Sequence, residues 1–107
     1  MPYRIRFTAE ALDHLRGLRA TDAAKVVDQC RRFLTVNPTL ESKARIKRLT
    51  AVVFPPYRMR VDDLRVFYSV EEQSKSVDIL AVVHKPEADA WLARLQGGIL
   101  NEAEDSA

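Results

Sequence analysis

Only one cysteine, three glycines and two histidines occur among the 107 residues of the chain. Each shortage excludes a class of chemistry. The lone cysteine, Cys30, rules out an internal disulfide framework and fits a reducing cytoplasm. His14, His84 and Cys30 are not at metal-ligand spacing, so neither a metal nor another cofactor is expected. Gly17, Gly97 and Gly98 form no loop that could cradle a phosphate. No nucleophile sits in an elbow or triad pattern. No apolar run approaches the roughly 20 residues that span a bilayer. The N-terminus alternates charged and apolar residues from its start, unlike a signal peptide. A cytoplasmic protein without membrane contact is the expectation.

What is present is enough chain for one modest core in a single domain. The net charge of +2 conceals an uneven distribution. Between Lys43 and Arg65 lie seven basic residues (Lys43, Arg45, Lys47, Arg48, Arg58, Arg60 and Arg65), opposed only by Asp62 and Asp63. Such a patch suits a polyanionic partner. Residues 99–107 carry Glu102, Glu104 and Asp105 and no basic residue, and are expected to be a flexible acidic tail.

The pattern along the chain predicts β-α-α-β-β-β-α. YRIRF, residues 3–7, alternates as a strand with Tyr3, Ile5 and Phe7 on the core side. Thr8 is placed to cap a first helix with Leu12, Leu15 and Leu18 on its apolar side, and Gly17 marks its end. A second helix is expected from near Thr21-Asp22, with Ala23, Val26, Val27, Cys30, Phe33 and Leu34 at helical spacing and Asn37-Pro38 as its stop. Residues 38–50 show no clear period. Two strands, 57–61 and 64–70, flank Asp62-Asp63. VDILAVVH, 77–84, reads as a central strand apolar on both faces. A short final helix should start at Pro86 and end at Gly97-Gly98. The fold class is α+β: a small, mostly antiparallel sheet of about four strands, with an N-terminal helix pair on one face, a short C-terminal helix, and the opposite face, carrying the arginines, open to solvent or a partner. Residues 1–98 make the domain.

The candidate chemistry lies in YRMRVDDLRVFYSV, residues 57–70. Strand alternation puts Arg58 and Arg60 on one face, and Arg65, Phe67 and Ser69 on one face of the next strand. If Asp62-Asp63 is a two-residue turn, Arg60 stands directly opposite Arg65, an arrangement that repulsion disfavours. Fixed guanidinium groups match phosphate oxygens and stabilise the charge that builds when a 2′-hydroxyl attacks an RNA phosphate. His84 could protonate the leaving oxygen, depending on a register that alternation alone leaves open. Lys85 could bind phosphate. Phe67 either stacks on a base or is covered by the final helix. His14 reads as a surface residue and Cys30 as core.

YRIRFTAEALDHLRGL at the start, KRL at 47–49, YRMRVDDLRVFYSV and ILAVVHKPEADAW at 79–91 together resemble the RelE/ParE toxin superfamily of bacterial toxin–antitoxin systems. The resemblance spans nearly all of the chain except the acidic tail. It implies a compact α+β toxin neutralised by a cognate antitoxin. RelE-like members cleave mRNA on the ribosome without a metal. Carried over by motif, the resemblance implies catalytic roles for Arg60, Arg65, His84 and Lys85, and RNA contacts for Lys47, Arg48, Arg58, Phe67 and Trp91. Asp62 stands where many members carry glycine, Lys85 where many carry arginine, and Trp91 near a common tyrosine. The resemblance equally implies a second possibility, a ParE-like protein that inhibits DNA gyrase by binding alone. A third is a relic that binds its antitoxin and attacks nothing.

Overall fold

The computed structural model describes the backbone from Pro2 to Ser106 and the side chains from Pro2 to Gly98. Strand β1 (Arg4–Phe7) leads into helices α1 (Ala9–Arg16) and α2 (Ala20–Gln29). A π-helical turn, Cys30–Leu34, prolongs α2. Strands β2 (Ile46–Arg48), β3 (Tyr57–Val61), β4 (Leu64–Glu71) and β5 (Ser76–His84) follow, and α3 (Lys85–Ser106) closes the chain. The sheet order is β1-β5-β4-β3-β2. Among the described residues only the β1–β5 pair is parallel. The class is therefore the expected α+β with a mostly antiparallel sheet, of five strands.

Local chemistry accounts for much of this. The Thr8 hydroxyl accepts a hydrogen bond from the Ala11 amide at the start of α1, satisfying a donor that the helix leaves free. Ala11, Val26, Cys30 and Leu34 meet Met59, Val66, Tyr68, Val77 and Ile79 in the main core. Tyr68 stacks on Tyr57 at 5.5 Å, and its hydroxyl donates to the Pro38 carbonyl at 2.6 Å, which pins the segment after α2 to the sheet.

Three expectations change. The aperiodic 38–50 stretch contains β2, too short for its alternation to be read. Its outer edge is blunted locally: the Glu41 carboxylate accepts from the Arg48 amide and the Ser42 hydroxyl from the Ile46 amide. Such capping denies the edge to other strands. Helix α3 does not stop at Gly97-Gly98 but runs on to Ser106. Glycine lowers helix propensity without forbidding helix, and neither glycine adopts the positive φ of a helix-ending turn. The expected acidic tail, 99–107, thus has helical backbone through Ser106, while its side chains lie outside the described residues. Finally, the second sheet face is only half open. Helix α3 buries Phe67, Ala81 and Val83 beneath Ala88 and Trp91, leaving the β2–β3 side uncovered.

Candidate functional site: a basic sheet face

The Asp62-Asp63 turn is tight. Val61 pairs with Leu64 and Arg60 with Arg65, and Asp62 takes the positive φ of 53° that an aspartate in a hairpin turn tolerates better than most residues. Lys47 is the cross-strand partner of Arg58, and Arg58 of Phe67. Directly opposed residues share a face, so Lys47, Arg58, Arg60 and Arg65 form one basic group. Among the described residues no carboxylate lies within ion-pair distance of any of the four; Asp62 pairs instead with Lys25 on α2 at 2.6 Å. The crowding has an electrostatic signature. Burial, followed by the charges of Arg65 and Arg60, holds the Arg58 guanidinium below its ordinary pKa.

The four are not equally available. Lys47 and Arg60 are exposed and Arg58 is half-buried. Arg65 is only 9% exposed, and its Nη1 donates to the carbonyls of Asp62 at 3.1 Å and Leu64 at 3.0 Å. It braces the turn as well as adding charge.

Several expected members lie elsewhere. A bulge separates the register on either side of β5: Tyr68 pairs with Ile79 but Phe67 with Ala81, so Leu80 is the extra residue. Beyond it the alternation is inverted. Val83 shares the face of Arg65, and His84 pairs with Leu64 on the helix-pair side. His84 therefore stands away from the arginines, in a cleft of about 520 Å³ shared with His14, Glu87, Trp91 and Arg94. Arg48 is on that opposite face too, because it pairs with Tyr57, whose hydroxyl accepts its Nη1 at 3.0 Å. Phe67 is 1% and Trp91 5% exposed. They stack on each other at 5.0 Å, so neither presents a ring face to a base, and the Trp91 indole N–H donates to Glu10. Lys85 is exposed at the start of α3, with its amide bonded to the Asp63 carbonyl at 2.7 Å.

His14 is the residue that sequence reasoning misplaced. It is half-buried, and its Nδ1 accepts a hydrogen bond from the Val82 amide at 3.0 Å. Its position three residues after Ala11, the buried residue of α1, which puts it beside the buried side of the helix, was the available signal. Among the described residues no group of acidic, histidine and cysteine side chains could hold a metal ion, and no helix is long and apolar enough to cross a membrane.

Residues 5–89 match the family described as the ParE toxin of the type II toxin-antitoxin system parDE. The chain belongs to this family, and so to the RelE/ParE toxin superfamily. No curated protein matches the sequence. Among solved structures, the chain is similar to the toxin–antitoxin complex RelBE2 of Mycobacterium tuberculosis, with 27% identity, 78% of this chain and 99% of that chain covered, and a TM-score of 0.68. It is also similar to the RelE–RelB complex of Pyrococcus horikoshii, with 26% identity, coverage of 79% and 97%, and a TM-score of 0.64. A variant of the Escherichia coli toxin RelE in the free state, at 22% identity and a TM-score of 0.65, covering 82% of this chain and 87% of that one, shares the fold.

Proposed function

We propose that this toxin is a metal-independent endoribonuclease that cleaves mRNA on the ribosome, and so acts in the cytoplasm. The observation that supports the reading is the group of Lys47, Arg58, Arg60 and Arg65 on one face, with no carboxylate partner among the described residues. Four cations held together against repulsion are pre-organised for a polyanion, and RNA phosphates would relieve that repulsion. In this reading Arg58 and Arg60 stabilise charge on the phosphoryl oxygens during in-line attack, Arg65 sets their spacing from the turn, and Lys47 holds a neighbouring phosphate. Lys85, beside the turn, adds a further cation. A cognate antitoxin, as in the RelBE2 and RelE–RelB complexes, would neutralise the toxin by covering this face with an acidic segment.

A second reading, inhibition of DNA gyrase by binding alone, is favoured by two observations. The matching family is that of ParE toxins, and His84, the proton donor expected for cleavage, is on the opposite sheet face. Mapping of mRNA ends in a purified translation reaction separates the two. New ends within translated codons, present with wild type and lost with the folded Arg58→Ala/Arg60→Ala variant, would support cleavage. No new ends from a folded, growth-arresting protein would defeat it and favour the gyrase reading, which a supercoiling assay then tests.

A further inference from the structure

A groove of about 380 Å³ runs between the loop after β2 and the outer side of α3, lined by Lys47, Leu49, Val52, Asp89, Leu92 and Ala93 among others. Gln96 fixes its shape: the side-chain oxygen accepts from the Val53 amide, and the amide nitrogen donates to the Phe54 carbonyl. The loop is thereby held against α3 with the apolar floor exposed between them.

The groove joins the basic face through one residue. Lys47 lines it and is also the cross-strand partner of Arg58, so the groove adjoins the basic row through neighbouring strands about 4.8 Å apart. The lining thus combines the cation of Lys47, the apolar side chains of Leu49, Val52, Leu92 and Ala93, and the carboxylate of Asp89. Asp89 is exposed, and among the described residues no basic side chain lies within ion-pair distance of it. That combination of surfaces matches a nucleotide, which has an anionic backbone, a flat apolar body and a polar edge. The volume is near the lower end of small-ligand sites, about 300–1,000 Å³, which suits one base and not a packed helix. An ionised carboxylate only accepts hydrogen bonds. Guanine offers it two adjacent donors, N1–H and the 2-amino group. Adenine and cytosine pair their amino donor with an acceptor nitrogen, and uracil flanks its single donor with two carbonyls.

We propose that this groove is a base subsite that takes one unpaired guanine of the RNA strand whose phosphates lie on Lys47, Arg58 and Arg60, with Asp89 reading its edge. The proposal rests on the RNA reading above and adds a base preference to it.

The test is fluorescence anisotropy at fixed low salt, with single-stranded oligoribonucleotides of equal length, one all adenosine and one with a central guanosine. Wild type is expected to bind the guanosine strand about tenfold more tightly. Asp89→Asn should remove that preference, whatever its effect on binding of both strands together, and Ala93→Phe, which fills the groove, should remove it too. Equal binding of both strands, lost on Arg58→Ala/Arg60→Ala, would overturn the base subsite and leave the RNA reading standing. A guanosine preference that survives both groove variants would also overturn it. If neither strand bound wild type, the base subsite would be overturned, while the RNA reading would stand or fall on the mapping of mRNA ends in the translation reaction.

Discussion

Arg60 and Arg65 stand directly opposite each other on β3 and β4, although one is exposed and the other buried. Like charges directly opposite each other on neighbouring strands destabilise the pair. Arg60→Thr is therefore expected to stabilise the fold, read as a rise in the urea midpoint, with the gain shrinking as salt screens the wild-type repulsion. If the toxin is the ribonuclease proposed above, the same variant should lose most RNA cleavage. A variant both less stable and fully active would contradict the functional assignment of the pair.

Arg65 is expected to behave differently because it holds the turn. Arg65→Ala removes two hydrogen bonds to turn carbonyls and should destabilise the fold by about 1–3 kcal/mol. Chemical denaturation measures this directly. It also means that loss of activity in Arg65→Ala has to be read beside Arg60→Ala, whose side chain is exposed.

His84 faces away from the basic group, so His84→Gln should leave the yield of mRNA ends within about twofold of wild type, whereas removal of a true general acid costs about 10²–10⁴-fold. The pH–rate profile should likewise be unchanged by the substitution. A drop of a hundredfold would place His84 in the chemistry and require a rearrangement that brings it round the sheet edge.

The stacked Phe67 and Trp91 rings fasten α3 to the sheet. Phe67→Ala should cost about 3–5 kcal/mol, and the fluorescence of Trp91, the single tryptophan, should shift toward that of an exposed indole in the same variant. Phe67→Leu, which keeps an apolar filler, should stay folded and retain cleavage. Folded but inactive Phe67→Leu would restore Phe67 as a base contact.

Burial pushes the Cys30 thiol up from 9.0 to about 12. Because the folded-state value is raised, its contribution to stability is complete below pH 9 and is lost as pH rises from there toward 12. Native protein at pH 8 should resist alkylation that proceeds readily in denaturant, and the denaturation midpoint should fall on going from pH 8 to pH 10. Rapid labelling of the native thiol would show that the core around Val26 and Met59 opens.

Much of this was legible in the sequence because it depends on neighbours in the chain. The Thr8 cap, the alternation of Tyr57, Met59 and Val61 against Arg58 and Arg60, and the two-residue turn that opposes Arg60 to Arg65 are all set within a few residues. The three-residue β2 was not legible, since so short a strand exists only through its pairing with β3. The face of Arg48 could not be read without that pairing either.

The sequence by itself determined the class of fold, the basic hairpin and its crowded arginines, because periodicity and turn chemistry act locally. The tertiary structure alone decided which of the candidate residues meet. One extra residue in β5, Leu80, inverts the alternation beyond it and sends His84 to the far side of the sheet. Helix α3, passing through two glycines that local propensity would have used as its end, stacks Trp91 on Phe67 and buries the Phe67 ring. Both outcomes follow from long-range packing: Phe67 and Trp91 are buried together, with Leu80 partly buried against them, and such contacts override what each segment prefers alone.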